Sequence, residues 1–259
     1  MDKNKSAFKL KGIPPVYCIN LDDESERWFY METQFKYWEI ENYTRISAYD
    51  GREDDLSDIL KGKYPENMNS GEVGCVTSHL KAMKEFLKTD EPYAFIIEDD
   101  CDFDPVKYWS FTWRDVMSKI PYDFDVFQTA IINPGALFIR MHKRFVNDFS
   151  TASYVITRHH AEKLVRLHCR GDKYKLDQGS KPRAVADDLI YNSGNTYAMP
   201  LLLYKIQMGS SIHGEHVEVF HRSSHNGLKN FWKESNKIEN WDELFEYDPY
   251  LGRLPPEEK

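Results

Sequence analysis

Four acids crowd into five positions at Glu98-Asp99-Asp100-Cys101-Asp102, directly after the apolar run Tyr93-Ala94-Phe95-Ile96-Ile97. Carboxylates packed this closely repel one another unless a cation or a proton neutralises part of the charge. Oxygen-only ligands on a tight turn suit a hard divalent ion such as Mg²⁺ or Mn²⁺. A second acidic pair, Asp187-Asp188, lies between Val185-Ala186 and Leu189-Ile190. Ionised groups in such an apolar frame are costly without a partner or a task. An adjacent pair can divide its roles, one carboxylate ionised and active, the other hydrogen-bonded or capping a helix. Histidines collect late in the chain at His213, His216, His221 and His225. One of them is expected to complete a metal shell, His213 ahead of His225. His79, alone on a helical stretch, reads more readily as a structural hydrogen-bonder than as a ligand.

These groups need elements to hold them. The apolar run after Pro92 is a short buried strand, and in open α/β sheets ligands gather beyond the carboxyl ends of strands. Residues 16–21 form an earlier strand, followed at once by a helix with Trp28, Met31, Phe35 and Trp38 on one face. Asp23 and Glu26 resemble the capping box that would open it. Arg27, one turn in, reaches either a phosphate or a surface acid. Residues 44–48 are a further strand ending at Tyr49-Asp50-Gly51. Residues 52–69 read as a mobile polar loop over the site, and 71–88 as a helix with Val73, Val76, Leu80, Met83 and Leu87 buried. Another amphipathic helix is expected over 105–119, strands over 123–130, 136–140, 153–157 and 200–207, and a helix from 158 to about 169. Without repeats or a linker, residues 13–225 make one domain. Residues 1–12 are expected to be flexible, and 226–259 a peripheral helix and tail.

Composition removes several function classes. The 259 residues, 41% hydrophobic and 14% aromatic, can bury a large core, while a net charge of −8 argues against nucleic acid as the main partner, since phosphate binding needs a basic face. The four cysteines are scattered without paired spacing and read as reduced thiols. With no signal-like or transmembrane stretch, the expected location is cytoplasmic, unless the chain is a fragment of a larger secretory-pathway protein.

Several segments together resemble glycosyltransferase family 25, the group of lipooligosaccharide galactosyltransferases and collagen galactosyltransferase domains. They are Ile19-Asn20-Leu21-Asp22 with Arg27; Arg45 with Ala48-Tyr49-Asp50-Gly51; and Gly71-Glu72-Val73-Gly74-Cys75-Val76-Thr77-Ser78-His79. Glu98-Asp99-Asp100, Ala152-Ser153-Tyr154-Val155-Ile156-Thr157, Asp187-Asp188 and Gln207 with Ser210-Ser211-Ile212 complete the set. The resemblance implies an α/β, GT-A-like nucleotide-sugar-binding fold with a mixed central sheet flanked by helices. It implies a UDP-galactose or UDP-glucose donor, an inverting reaction, and a glycan or hydroxylysine-type hydroxyl as acceptor. Glu98 and Asp100 would flank Mn²⁺ or Mg²⁺, with Glu98 in place of the first acid of a D-x-D metal motif. Asn20, Asp22, Arg27, Asp50, Gly51, Glu98 and Asp99 would line the nucleotide side. Inversion needs a base on the face away from the nucleotide, for which Asp187 or Asp188 is the candidate. The alternatives are a metal-dependent phosphohydrolase and a non-catalytic nucleotide-sugar- or glycan-binding module.

Overall fold

The computed structural model describes residues 4–52, 56–133, 135, 137–176, 183–205 and 221–247. Strands β1 (Val16–Asn20), β2 (Tyr43–Ser47), β3 (Tyr93–Glu98), β5 (Val126–Gln128), β6 (His142–Lys143), β7 (Ser153–Thr157) and β10 (Thr196–Ala198) form one mixed sheet. Its order is β2-β1-β3-β7-β5-β10-β6. The β2–β1–β3 part is parallel, and β7 runs antiparallel to both β3 and β5. Two short pairs lie outside this sheet: β4 (Cys101–Asp102) with β11 (Leu203–Tyr204), and β8 (Cys169–Arg170) with β9 (Lys173–Tyr174).

Helices cover both faces, as a GT-A-like nucleotide-sugar-binding fold requires. Helices α1 (Ser25–Tyr37), α3 (Trp113–Lys119) and α6 (Arg222–Glu234) contribute to one core; α2 (Ser70–Phe86), α4 (Arg158–His168) and α5 (Ala186–Tyr191) contribute to the other. Alternation along the strands divides the apolar residues between them. Val16, Cys18, Phe95 and Ile97 face the α1 side, whereas Tyr17, Ile19, Ala94 and Ile96 face the α2 side.

Several expected boundaries move. No side-chain cap opens α1, because Asp23 and Glu24 turn their carboxylates to Arg52. The helix expected over 105–119 splits into a 3-10 turn, Asp104–Tyr108, and α3. Thr112 and Asp115 form a capping box at the split, and Trp109 and Phe111 bury their rings there. Residues 137–140 form no strand; β6 follows them and pairs with β10. Within 200–205 only Leu203–Tyr204 is strand. The loop at 52–69 contains a 3-10 turn, Leu56–Ile59, and buries Leu56, Leu60 and Met68.

Both ends are more integral than expected. Ala7 and Leu10 are buried in the 3-10 turn Ala7–Leu10. The boundary drawn at 225 falls inside α6, whose Leu228 and Trp232 are buried. Trp232 donates its indole N–H to the Pro200 carbonyl at 3.1 Å, and its ring lies 6.2 Å from that of Trp109. Amphipathic spacing joined to large aromatic surface draws this helix into the core.

Candidate active site

Strand parity sorts the acids at the end of β3. Glu98 continues the Ala94–Ile96 face towards α2, and Asp99 continues the Phe95–Ile97 face towards α1. Glu98 Oε1 accepts from the Thr151 hydroxyl at 2.7 Å and lies 3.2 Å from His79 Nε2. Burial would raise the Glu98 carboxyl, but the bonds from His79 and Thr151 and the Arg27 charge carry it below its ordinary value. Asp99 is committed elsewhere. Its Oδ2 accepts from Asn20 Nδ2 at 2.6 Å, and its Oδ1 pairs with the Arg27 guanidinium. It therefore ties β3 to β1 and α1 and fixes Arg27 at the base of the cleft.

Asp100 differs from both. Its Oδ1 is buried and has no hydrogen-bond partner among the described residues. Burial, then the charges of Glu98 and Asp99, push its carboxyl up to about 8, with Arg27 opposing. An orphaned carboxylate oxygen beside a second carboxylate calls for a proton or a cation. This oxygen donor set fits a hard divalent ion. His213 lies outside the described residues. His225 is on α6, where its ring packs 5.9 Å from that of Tyr204.

A cleft of about 670 Å³, its open mouth included, runs along the carboxyl ends of β1 and β3. Of the expected nucleotide-side set, Asn20, Arg27, Asp50, Gly51, Glu98 and Asp99 line it. Asp22 does not; it accepts from Ser47 Oγ at 2.8 Å on the outer side. Two glycines let the Tyr49–Gly51 turn lie against α2. A Cβ on Gly51 would stand 2.0 Å from the Ser70 carbonyl oxygen, and one on Gly74 would stand 2.6 Å from that of Tyr49. Ser78 Oγ locks the turn by accepting from the Tyr49 N–H at 2.8 Å.

The second acidic pair opens α5. Asp187 Oδ1 accepts from the Ser150 N–H at 2.8 Å and lies 3.9 Å from the Arg144 guanidinium. Burial pushes its carboxyl up to about 6; Arg144 and the Ser150 N–H oppose the rise, while Glu98 and Asp188 add to it. Asp188 accepts instead from its neighbour Asn192 at 3.0 Å. The two members thus have different partners, and the charge of Glu98 bears on the Asp187 carboxyl.

The sequence model of glycosyltransferase family 25, described as an LPS biosynthesis protein family, matches residues 13–178. The chain belongs to glycosyltransferase family 25. It is accordingly an enzyme, a glycosyltransferase. No curated protein matches it significantly. Among solved structures, A197 from STIV is 12% identical over 74% of this chain and 84% of that one, with a TM-score of 0.38. The nucleoside-diphosphate-sugar pyrophosphorylase from Vibrio cholerae RC9 is 10% identical over 84% of this chain and 85% of that one, with a TM-score of 0.37. Among the described residues, no helix is long and apolar enough to cross a membrane.

Sequence reasoning passed over several residues that this family 25 glycosyltransferase brings to the site. Arg52 was assigned to the covering loop, yet it lines the cleft and binds Asp50, Asp23 and Glu24. His79, expected as a structural hydrogen-bonder, makes such a contact at the site itself, and Cys75 lines the cleft one helical turn before it. Their i, i+4 spacing was the available signal. Thr151 and Arg144 carried no local signal, since each meets its acid only through the tertiary fold.

Proposed function

We propose that this glycosyltransferase moves galactose or glucose from a UDP-sugar to a hydroxyl of a glycan or hydroxylysine-type acceptor, with inversion and with Mn²⁺ or Mg²⁺. The observation that carries the reading is the orphaned, buried Asp100 Oδ1, which feels the charge of Glu98, whose own carboxylate lines the cleft. Glu98 and Asp100 would hold the cation. When bound, the ion supplies Lewis-acid neutralisation of the diphosphate. Arg27, fixed by Asp99, adds a positive charge on the donor side of the cleft. Asn20 and the Asp50-Gly51 turn bound the nucleotide, and the close packing of Gly51 on α2 keeps that wall rigid.

Asp187 is the base. It takes the acceptor hydroxyl proton as that oxygen bonds to the anomeric carbon and the bond to the β-phosphate oxygen breaks, releasing UDP. A carboxyl raised to about 6 is largely ionised at neutral pH and is a stronger proton acceptor than an ordinary aspartate. The metal-side acids cannot share this task, because they lie with the diphosphate.

The test is UDP release from a panel of UDP-sugars, with and without a hydroxyl acceptor, in Mn²⁺ and in EDTA. Acceptor-dependent release from UDP-galactose or UDP-glucose that EDTA abolishes is expected. Release from no UDP-sugar, or release indifferent to EDTA, refutes the reading.

A further inference from the structure

Cys75 and His79 stand one turn apart on α2 and face the end of β3, where Glu98 meets them. One ligand atom from each lies within 4.8 Å of the other two. His79 Nε2 is 3.2 Å from Glu98 Oε1. That is long for a charge-assisted hydrogen bond, about 2.7–2.9 Å. It is close to the roughly 3.3 Å edge of a tetrahedron whose N and O ligands sit about 2.0 Å from a central ion. The other ring nitrogen, Nδ1, is 3.0 Å from the Tyr154 hydroxyl, the kind of outer contact that fixes a ligating imidazole. The His79 side chain is fully buried, so its ring is held in this orientation. All three residues also line the cleft, which leaves a fourth direction open to solvent or ligand.

We propose that Cys75, His79 and Glu98 form a second cation site in the cleft, one that takes a borderline, thiolate-preferring divalent ion of the Zn²⁺ class. Sulfur, imidazole nitrogen and one carboxylate form a donor set unlike the all-oxygen pair Glu98–Asp100, and they select against Mg²⁺ and Mn²⁺. On binding, the Cys75 S–H bond breaks, its proton leaves to solvent through the cleft, and the sulfur lone pair forms the bond to the ion. For Nε2 to bind the ion, the His79 ring proton sits on Nδ1, where the Tyr154 hydroxyl oxygen accepts it, and Glu98 donates as the carboxylate. Glu98 belongs to both sites, so an ion of this class withdraws a ligand from the hard cation and opposes donor binding. Only that last consequence rests on the proposed function.

Co²⁺ titration reads the site directly, because a thiolate ligand gives a near-ultraviolet charge-transfer band. The band is expected in the parent and in Asp100→Asn, lost in Cys75→Ser, retained in Cys169→Ser, and displaced by Zn²⁺. X-ray absorption of the Zn²⁺-loaded parent, which needs no variant, is expected to show one sulfur ligand at about 2.3 Å. Zn²⁺ is expected to weaken Mn²⁺-dependent UDP binding at least tenfold by calorimetry. A Co²⁺ band without any Mn²⁺-dependent UDP binding keeps this site and removes the donor reading instead. A Zn²⁺ shell without sulfur, or a band that survives in Cys75→Ser, overturns the proposal.

Discussion

Ser150 donates its backbone N–H to Asp187 Oδ1 at 2.8 Å. The next residue, Thr151, donates its hydroxyl to Glu98 Oε1 at 2.7 Å, so one dipeptide spans the candidate base and the candidate metal acid. Ser150 adopts φ +98°, a left-handed conformation that disfavours side chains. Tyr191 Oη and Gln128 Nε2 both hold its carbonyl there, at 2.8 and 3.0 Å. Backbone strain kept in place by several bonds is typical of segments that position chemistry.

This arrangement separates the two members of the second acidic pair. Asp187→Asn is expected to lower kcat by about a hundredfold to ten-thousandfold, the usual range for a lost general base, with donor Kd nearly unchanged. Asp188→Asn keeps an amide oxygen to accept from Asn192, the side-chain partner of Asp188 among the described residues, and is expected to cost a few-fold at most. Transfer rates and UDP titrations for the two variants decide it; the reverse ranking would move the base to Asp188.

The pH profile follows from the same carboxyl. A base must be ionised, so kcat/KM is expected to rise with pH through about 6 and then level off. Arg144 favours the ionised form of Asp187, and Arg144→Gln is expected to move that limb to higher pH. The stability sign is opposite. A folded pKa above the unfolded one means that stability is lost as pH rises through that interval, so Asp187→Asn should melt no lower than the parent at pH 8. A limb unmoved in Arg144→Gln would show that another group sets it.

At the metal side, Asp100→Asn is expected to abolish Mn²⁺-dependent UDP binding while leaving the melting temperature close to the parent's. Its buried oxygen has no protein partner among the described residues, so no bond within the fold is broken. Chelation of the parent should reproduce the loss. Calorimetry showing unchanged Mn²⁺-dependent UDP affinity in the variant would remove Asp100 from the shell.

Much of the fold was legible because β1 and β3 are short apolar runs ending in polar clusters, and α2 carries a clear 3.6-residue stripe. The acidic end of β3 stands out as a candidate site for the same reason. What escaped were elements set by long-range contact. The α3 region looked like one helix, but the burial of Trp109 and Phe111 against Trp113 and Trp232 divides it. Asp22 looked like a ligand by its place after β1, but Ser47 draws it outward. Trp232 and Ser47 are both distant in sequence from the residues they hold, so no local pattern records them.

The C-terminal correction has its own measurement. Trp232→Ala is expected to cost about 3–5 kcal/mol, the usual loss for a buried large aromatic, because Trp232 joins the Trp109–Phe111 cluster to the Pro200 carbonyl. Denaturant unfolding checks it. A loss below about 1 kcal/mol would return α6 to the periphery.

Gly51 provides the strictest test of the donor wall. Its Cα sits so close to the start of α2 that an added Cβ would lie 2.0 Å from the Ser70 carbonyl oxygen and 2.4 Å from its carbon. Both are backbone atoms, so no side-chain rotation relieves the overlap, and Gly51→Ala must push the Tyr49–Gly51 turn away from the helix. The Gly51 carbonyl would then lose the Ser70 hydroxyl, and Arg52 its alignment with Asp50. The turn lines the cleft, so UDP affinity should fall at least tenfold, together with a lower melting temperature. Gly227→Ala is the control: it lies within α6 and its added Cβ meets nothing within 4 Å. Alanine there should be neutral or stabilising by up to about 1 kcal/mol, with UDP affinity untouched. If Gly51→Ala binds UDP as tightly as the Gly227→Ala control, the Asp50-Gly51 turn is not part of the nucleotide site.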